Sequence, residues 1–224
     1  TTAGADVITV APEGGFGWYT NWVRQTNGAQ NWETFHLDQV IPFVDRNLRT
    51  IATREGRGIA GISMGGFGAF HYAQKRPDLF TSVTSISGVL ELNWPTQVVI
   101  AGSSMVDLAG PFNAFGSPAP GQNGGWLAAD PVRYAANMAN MDIQFMVGNN
   151  PLDPVEGVVR IANSHMSKAL TAAGIPHSYV NYGFGGPINA PLCFGIHQPG
   201  CWGPAFKKAF PRIMGRLTPA VQAS

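Results

Sequence analysis

The stretch Gly58-Ile59-Ala60-Gly61-Ile62-Ser63-Met64-Gly65-Gly66 decides how the rest of the chain reads. Its first part is a short apolar run of strand length, and its end opens a helical segment that reaches about Lys75 and stops before Pro77. Between them, Gly61, Ser63 and Gly65 spell G-x-S-x-G. In a strand–turn–helix setting this spacing puts a serine on a sharp turn and lifts its hydroxyl above the sheet edge. The turn crowds the residues two before and two after, so glycine is expected at both. The helix that follows aims its N-terminus at the serine, which makes the backbone N–H of Met64 a candidate oxyanion donor. Ser63 is the candidate nucleophile.

Outward from this turn, strands and helices alternate. Residues 7–11 read as a buried strand closed by Pro12, and residues 12–31 as a loop rich in Gly and aromatics. Residues 32–48 read as a helix with Asn31 as its cap and Pro42 as a kink. Strands are expected at 80–87, 143–147 and 178–182, and helices at 131–138, 154–173 and 204–216. Residues 88–129 carry much Gly, Pro, Ser and Asn and read as a lid-like excursion over the site. The pattern predicts one α/β domain over residues 1–224, with a mostly parallel sheet flanked by helices.

Composition narrows the function. The chain has 224 residues, enough for one domain with a sizeable core. Charged residues are 12% where about 25% is usual, and the net charge is +1, so no basic field attracts nucleic acid. No apolar run of membrane-spanning length and no signal peptide is visible. Cys193 and Cys201 lie in a Gly/Pro-rich stretch. They read either as free thiols or, the reading preferred, as a disulfide that clamps a loop in an oxidising compartment. No metal site is expected, since Asn149, Asn150 and their glycine neighbour lack the ligand count for a cation.

A serine hydroxyl needs a base to take its proton. Among five histidines, His197 lies in a Gly/Pro-rich loop after the last expected strand. That is where the order Ser, acid, His places the histidine on the α/β-hydrolase plan. The acid should follow a late strand, and two carboxylates compete there, Asp153 and Glu156. Position alone slightly favours Asp153, the nearer to the strand end.

The chain resembles the antigen 85 mycolyltransferases and their actinobacterial esterase relatives within the esterase D group. The resemblance rests on Val10-Ala11-Pro12-Glu13-Gly14-Gly15, Trp18-Tyr19-Thr20-Asn21-Trp22, Asn31-Trp32-Glu33-Thr34-Phe35 and the Ser63 turn. It continues in Val147-Gly148-Asn149, in Glu156 with Asn163 seven on, and in Gly195-Ile196-His197 with Trp202. It implies the α/β-hydrolase fold, a Ser63–His197–Glu156 triad with Asp153 as runner-up, and no cofactor. It also implies a domain that begins earlier than Thr1 and takes its second oxyanion donor from a strand absent here, so the chain is expected to lack N-terminal strands. The loop departs from the family at Gln198 and at the inserted Pro199-Gly200-Cys201. The expected activity is hydrolysis of a small-molecule or lipid ester through an acyl-enzyme, outside the cytoplasm or at the cell envelope. Transfer of an acyl chain to a sugar hydroxyl is the alternative. A secreted binding protein on an inactive scaffold is the rival of another class. Phe16, Trp18 and Trp22 are candidate substrate contacts.

Overall fold

The computed structural model describes residues 2–26, 28, 30–105 and 110–219. Residues 106–109 of the 88–129 excursion, and residues 1 and 220–224 of the expected domain, lie outside the described residues. Among the described residues the sheet has four strands, β1 (Gly58–Ile62), β2 (Ser82–Ile86), β3 (Asp142–Val147) and β4 (His177–Asn181), in the order β1-β2-β3-β4 and parallel throughout. Helix α3 (Met64–Lys75) connects β1 to β2, and α6 (Pro154–Ala172) connects β3 to β4. This is the parallel, helix-flanked architecture that the alternating pattern implies.

Side chains alternate across the strands and so build a core on each face. Val83, Ile143 and Phe145 pack with Phe70 and Ala73 of α3 and with Met166 and Leu170 of α6. Ile86 and Met146 face the other way, onto Ala205 and Ala209 of α7 (Pro199–Met214). On that face Gln144 is buried but satisfied, donating to Thr84 Oγ1 at 3.0 Å and to the Ala209 carbonyl at 3.1 Å.

Three elements differ from the reading of the sequence. Residues 7–11 form no strand; among the described residues β1 is the sheet's edge, and Ile8 and Val10 are 43% and 45% exposed. An apolar run becomes a strand only where a neighbouring strand takes its hydrogen bonds. Residues 88–129 are not irregular throughout: they include α4 (Trp94–Ser104) and α5 (Gly124–Ala129). Leu92, Ile100, Phe115 and Trp126 of this segment are buried against Trp18, Trp22 and Phe67. Its Gly and Pro content hid these helices, although Pro95 in the first turn of α4 is a helix-start signal.

Residues 32–47 are helical but not uniform. They run through α1 (Trp32–Thr34), a π-helical stretch (Phe35–Val40) and α2 (Ile41–Asn47). The wide turn lets Ile41 N–H bond the His36 carbonyl just before Pro42, which has no N–H to offer, so the proline sits in the first turn of α2 without splitting the segment. Asn31 does not cap it; its Oδ1 accepts from Gln25 Nε2 at 3.0 Å.

The α3–sheet contact is the part of this core most exposed to a packing test. Phe70 is fully buried and meets the Phe145 ring edge-on at 5.8 Å. Phe70→Ala is expected to cost about 3–5 kcal/mol, read as a lower urea midpoint with an unchanged m-value.

Candidate active site

Ser63 stands between β1 and α3 with φ 54° and ψ −120°, a backbone setting rare for a side-chain-bearing residue. Its N–H is tied to the Ile86 carbonyl of β2 at 2.9 Å, which anchors the turn to the sheet. The crowding of the turn is one-sided. A Cβ on Gly61 would lie 1.9 Å from the Gly65 carbonyl oxygen, whereas a Cβ on Gly65 would meet only the Tyr19 hydroxyl, at 3.5 Å. Gly61 is therefore the obligatory glycine, and the expectation for Gly65 is corrected. Met64 opens α3, so its N–H has no acceptor within the helix.

The structure brings Ser63, His197 and Glu156 together. Ser63 Oγ lies 2.7 Å from His197 Nε2, and His197 Nδ1 lies 2.7 Å from Glu156 Oε2. A carboxylate can only accept, so Nδ1–H donates to Glu156, and Nε2 is left to accept from the serine hydroxyl. The imidazole ring also packs edge-on against Trp202, with centroids 4.9 Å apart.

Glu156 has no solvent exposure. A buried carboxylate is costly unless its lone pairs are answered. Its Oε1 accepts from Gly148 N–H at 2.6 Å, Ser87 Oγ at 2.8 Å and the Tyr182 hydroxyl at 3.3 Å. Its place in the first turn of α6 adds the favourable end of the helix dipole. Burial, reinforced by the charge of Glu156, pushes the Tyr182 phenol well above its ordinary pKa, so it stays a donor. Ser87 and Tyr182 were missed in the sequence. The signal available was their position just beyond the C-terminal ends of β2 and β4, where parallel strands open a crevice.

The competing carboxylate does different work. Asp153 caps α6: its Oδ1 accepts from Val155 and Glu156 N–H at 2.9 and 3.0 Å. Its Oδ2 accepts the backbone N–H of His197 at 2.7 Å. It thus holds the histidine by its main chain while Glu156 holds it by its ring. Burial pushes the Asp153 carboxyl up, but the N–H donors of His197, Glu156 and Val155 and the nearby imidazole outweigh this and hold it below the ordinary 3.8. Cys193 and Cys201 are disulfide-bonded and buried, and they close the loop on either side of His197.

A cleft of about 140 Å³ lies over Ser63 and His197, and Phe16 and Trp18 line it. Trp22 does not. It is buried behind the loop, with Nε1 donating to the Gly17 carbonyl at 2.9 Å, so it is a packing residue and not a substrate contact. A larger hollow of about 410 Å³, beside Leu37, Arg57 and Arg76, shares no lining residue with this cleft. It offers no nucleophile beside a base, whereas the smaller cleft holds Ser63 against His197.

A profile of the putative esterase family matches residues 2–213. The esterase Rv1288 of Mycobacterium tuberculosis (strain ATCC 25618 / H37Rv) is 38% identical over 189 residues, which are 79% of this chain and 41% of that protein. The diacylglycerol acyltransferase/mycolyltransferase Ag85A of Mycobacterium leprae (strain TN) is 28% identical over 194 residues, 79% of this chain and 58% of the relative. The chain thus spans about half the length of these relatives. In fold it is similar to Mycobacterium tuberculosis MPT51 (FbpC1), with a TM-score of 0.72 and 22% identity over 91% of this chain and 74% of that one. Among the described residues no helix is long and apolar enough to cross a membrane.

The Asp153 geometry has a signed pH consequence. A carboxyl whose folded-state pKa is depressed stabilises fully above its ordinary pKa, and that stability is lost as pH falls through the lower folded value. Asp153→Ala is expected to cost about 1 kcal/mol at pH 7 through the lost cap. In urea unfolding at a series of pH values, the gap to wild type should close below pH 3.8.

Proposed function

The chain belongs to the putative esterase family, and from that premise we propose that it is a serine carboxylic-ester hydrolase acting through Ser63, His197 and Glu156. The observation that carries the reading is the pair of 2.7 Å contacts linking the serine hydroxyl through the imidazole to a fully buried carboxylate.

Ser63 Oγ attacks the ester carbonyl while His197 Nε2 takes the hydroxyl proton. Glu156 stabilises the imidazolium, and the Met64 N–H donates to the developing oxyanion. Collapse breaks the bond to the alkoxy oxygen, which leaves with the proton from His197. Water, deprotonated by the same imidazole, then attacks the acyl-enzyme; the bond to Ser63 Oγ breaks, Oγ takes that proton back from His197, and the acid is released. Transfer to a sugar hydroxyl would differ only in the second nucleophile, and the mycolyltransferase relative supports it as the alternative. The assembled nucleophile and base weigh against a binding protein on an inactive scaffold. The buried disulfide supports a location in an oxidising compartment, secreted or at the cell envelope.

A fluorophosphonate probe should label Ser63 in the wild type and not in Ser63→Ala. Glu156→Gln should fold normally yet lower kcat on p-nitrophenyl acetate by about 10⁴-fold, since the amide no longer orients the imidazole. Labelling that persists in Ser63→Ala would sink the reading. Products analysed with and without an added sugar acceptor separate hydrolysis from transfer.

A further inference from the structure

We propose that Trp18 is the floor of a dead-end hydrocarbon pocket that restricts the substrate to esters of short apolar acyl chains; this rests on the esterase reading above. Ser63 and His197 stand at the mouth of the 140 Å³ cleft, and its walls are Val89, Val99, Val155 and Val159. Trp18, Val89 and Val159 line it at 2%, 2% and 0% exposure, so its inner end is built on buried side chains, and Trp18 is the largest of them.

The ring is fixed in that position from three directions. Its faces and edges pack on Phe67 at 5.7 Å and Phe115 at 6.4 Å. Its Nε1–H donates to Ser103 Oγ at 3.2 Å, and that hydroxyl donates onward to the Ile100 carbonyl at 3.0 Å. The backbone beneath it is set by two consecutive left-handed residues, Trp18 at φ 52° and Tyr19 at φ 50°. Such a pair persists only where the surroundings over-determine it, and the Trp22–Gly17 hydrogen bond is part of that restraint.

Two consequences follow for the ligand. The polar groups at the inner wall, the Trp18 indole N–H and the Ser103 hydroxyl, are already engaged with each other and with Ile100, so a polar or charged acyl chain would lose its hydration there without replacement. The volume is also small. At about 30 Å³ per water-sized group, 140 Å³ takes roughly five methylene-sized groups. The acyl group is the part assigned to this pocket, because it stays bonded to Ser63 while the alcohol must leave and water must enter. A recess lined by apolar side chains suits the part that stays.

The test is the chain-length profile of kcat/KM on p-nitrophenyl esters from acetate to decanoate. In the wild type it should rise about fourfold per methylene to butyrate or pentanoate and drop at least tenfold by octanoate. Trp18→Ala should move the maximum to longer chains. Since Trp18 also packs in the core, a second variant carries the test if that one does not fold. Val99→Phe, at a half-buried position on α4, should fill the cavity and lower the butyrate-to-acetate ratio at least tenfold. A wild-type profile that does not fall with acyl length, or one unchanged in Val99→Phe, overturns the proposal and leaves the esterase reading intact. So does a length limit found instead on the alcohol side in a series of alkyl acetates. Hydrolysis that survives Ser63→Ala overturns the esterase reading itself and the pocket assignment with it.

Discussion

A carboxylate with no access to water sits where three parallel strands end, and the arrangement of the molecule around Ser63 depends on answering its charge. Glu156 draws one donor from just beyond each of β2, β3 and β4: Ser87, Gly148 and Tyr182. Its remaining oxygen takes the imidazole of His197. An ion of this kind costs several kcal/mol to desolvate, and removing one partner leaves the rest of that cost uncompensated. The strand ends, the start of α6 and the histidine loop are therefore one cooperative unit. Ser87 itself is held in a left-handed conformation, φ 48°, a local strain tolerated where it delivers a hydroxyl to the buried charge.

The loop that carries His197 has little regular structure and would sample many conformations if left alone. Four ties restrict it. Asp153 takes the His197 N–H, Asn150 reaches the Phe194 carbonyl by its side chain and the Gly195 carbonyl by its backbone, and the disulfide joins residues 193 and 201. Closing so short a loop removes about 2.5 kcal/mol of unfolded-chain entropy in the chain-entropy view. All four act on the few residues around the imidazole. A base must sit within a few tenths of an ångström of its proton to work, so this restraint is preorganisation as well as stability.

The serine turn was legible because its chemistry is local: strand, glycine, serine and helix follow one another in sequence. The histidine was legible from chain order alone. The acid was not, because Asp153 and Glu156 are three residues apart at one helix start and both make stabilising contacts with His197. What separates them is which oxygen meets ring and which meets backbone, a fact of side-chain direction that no spacing encodes; only the family resemblance favoured Glu156. The failed strand at residues 7–11 has the opposite cause. Its local pattern is sound, but pairing is a property of the neighbour. Trp22 and Trp18 show the same limit, since two tryptophans on one aromatic loop divide into a packing residue and a cleft wall only once the loop has its left-handed turn.

That turn also bears on whether the proposed acyl-enzyme meets water or an alcohol. A transferase must keep water from its intermediate, and this requires a cover over the acceptor side. In the proposed pocket the closed end of the cleft lies at Trp18. The loop on the other side, the one that carries His197, presents Phe184, Leu192 and Phe194 to solvent at 58%, 74% and 53% exposure. Water at bulk concentration then competes with any acceptor that does not bind this face. On the proposed reading, an acceptor would compete with that water only by settling on this loop, whose exposed apolar side chains suit an apolar one.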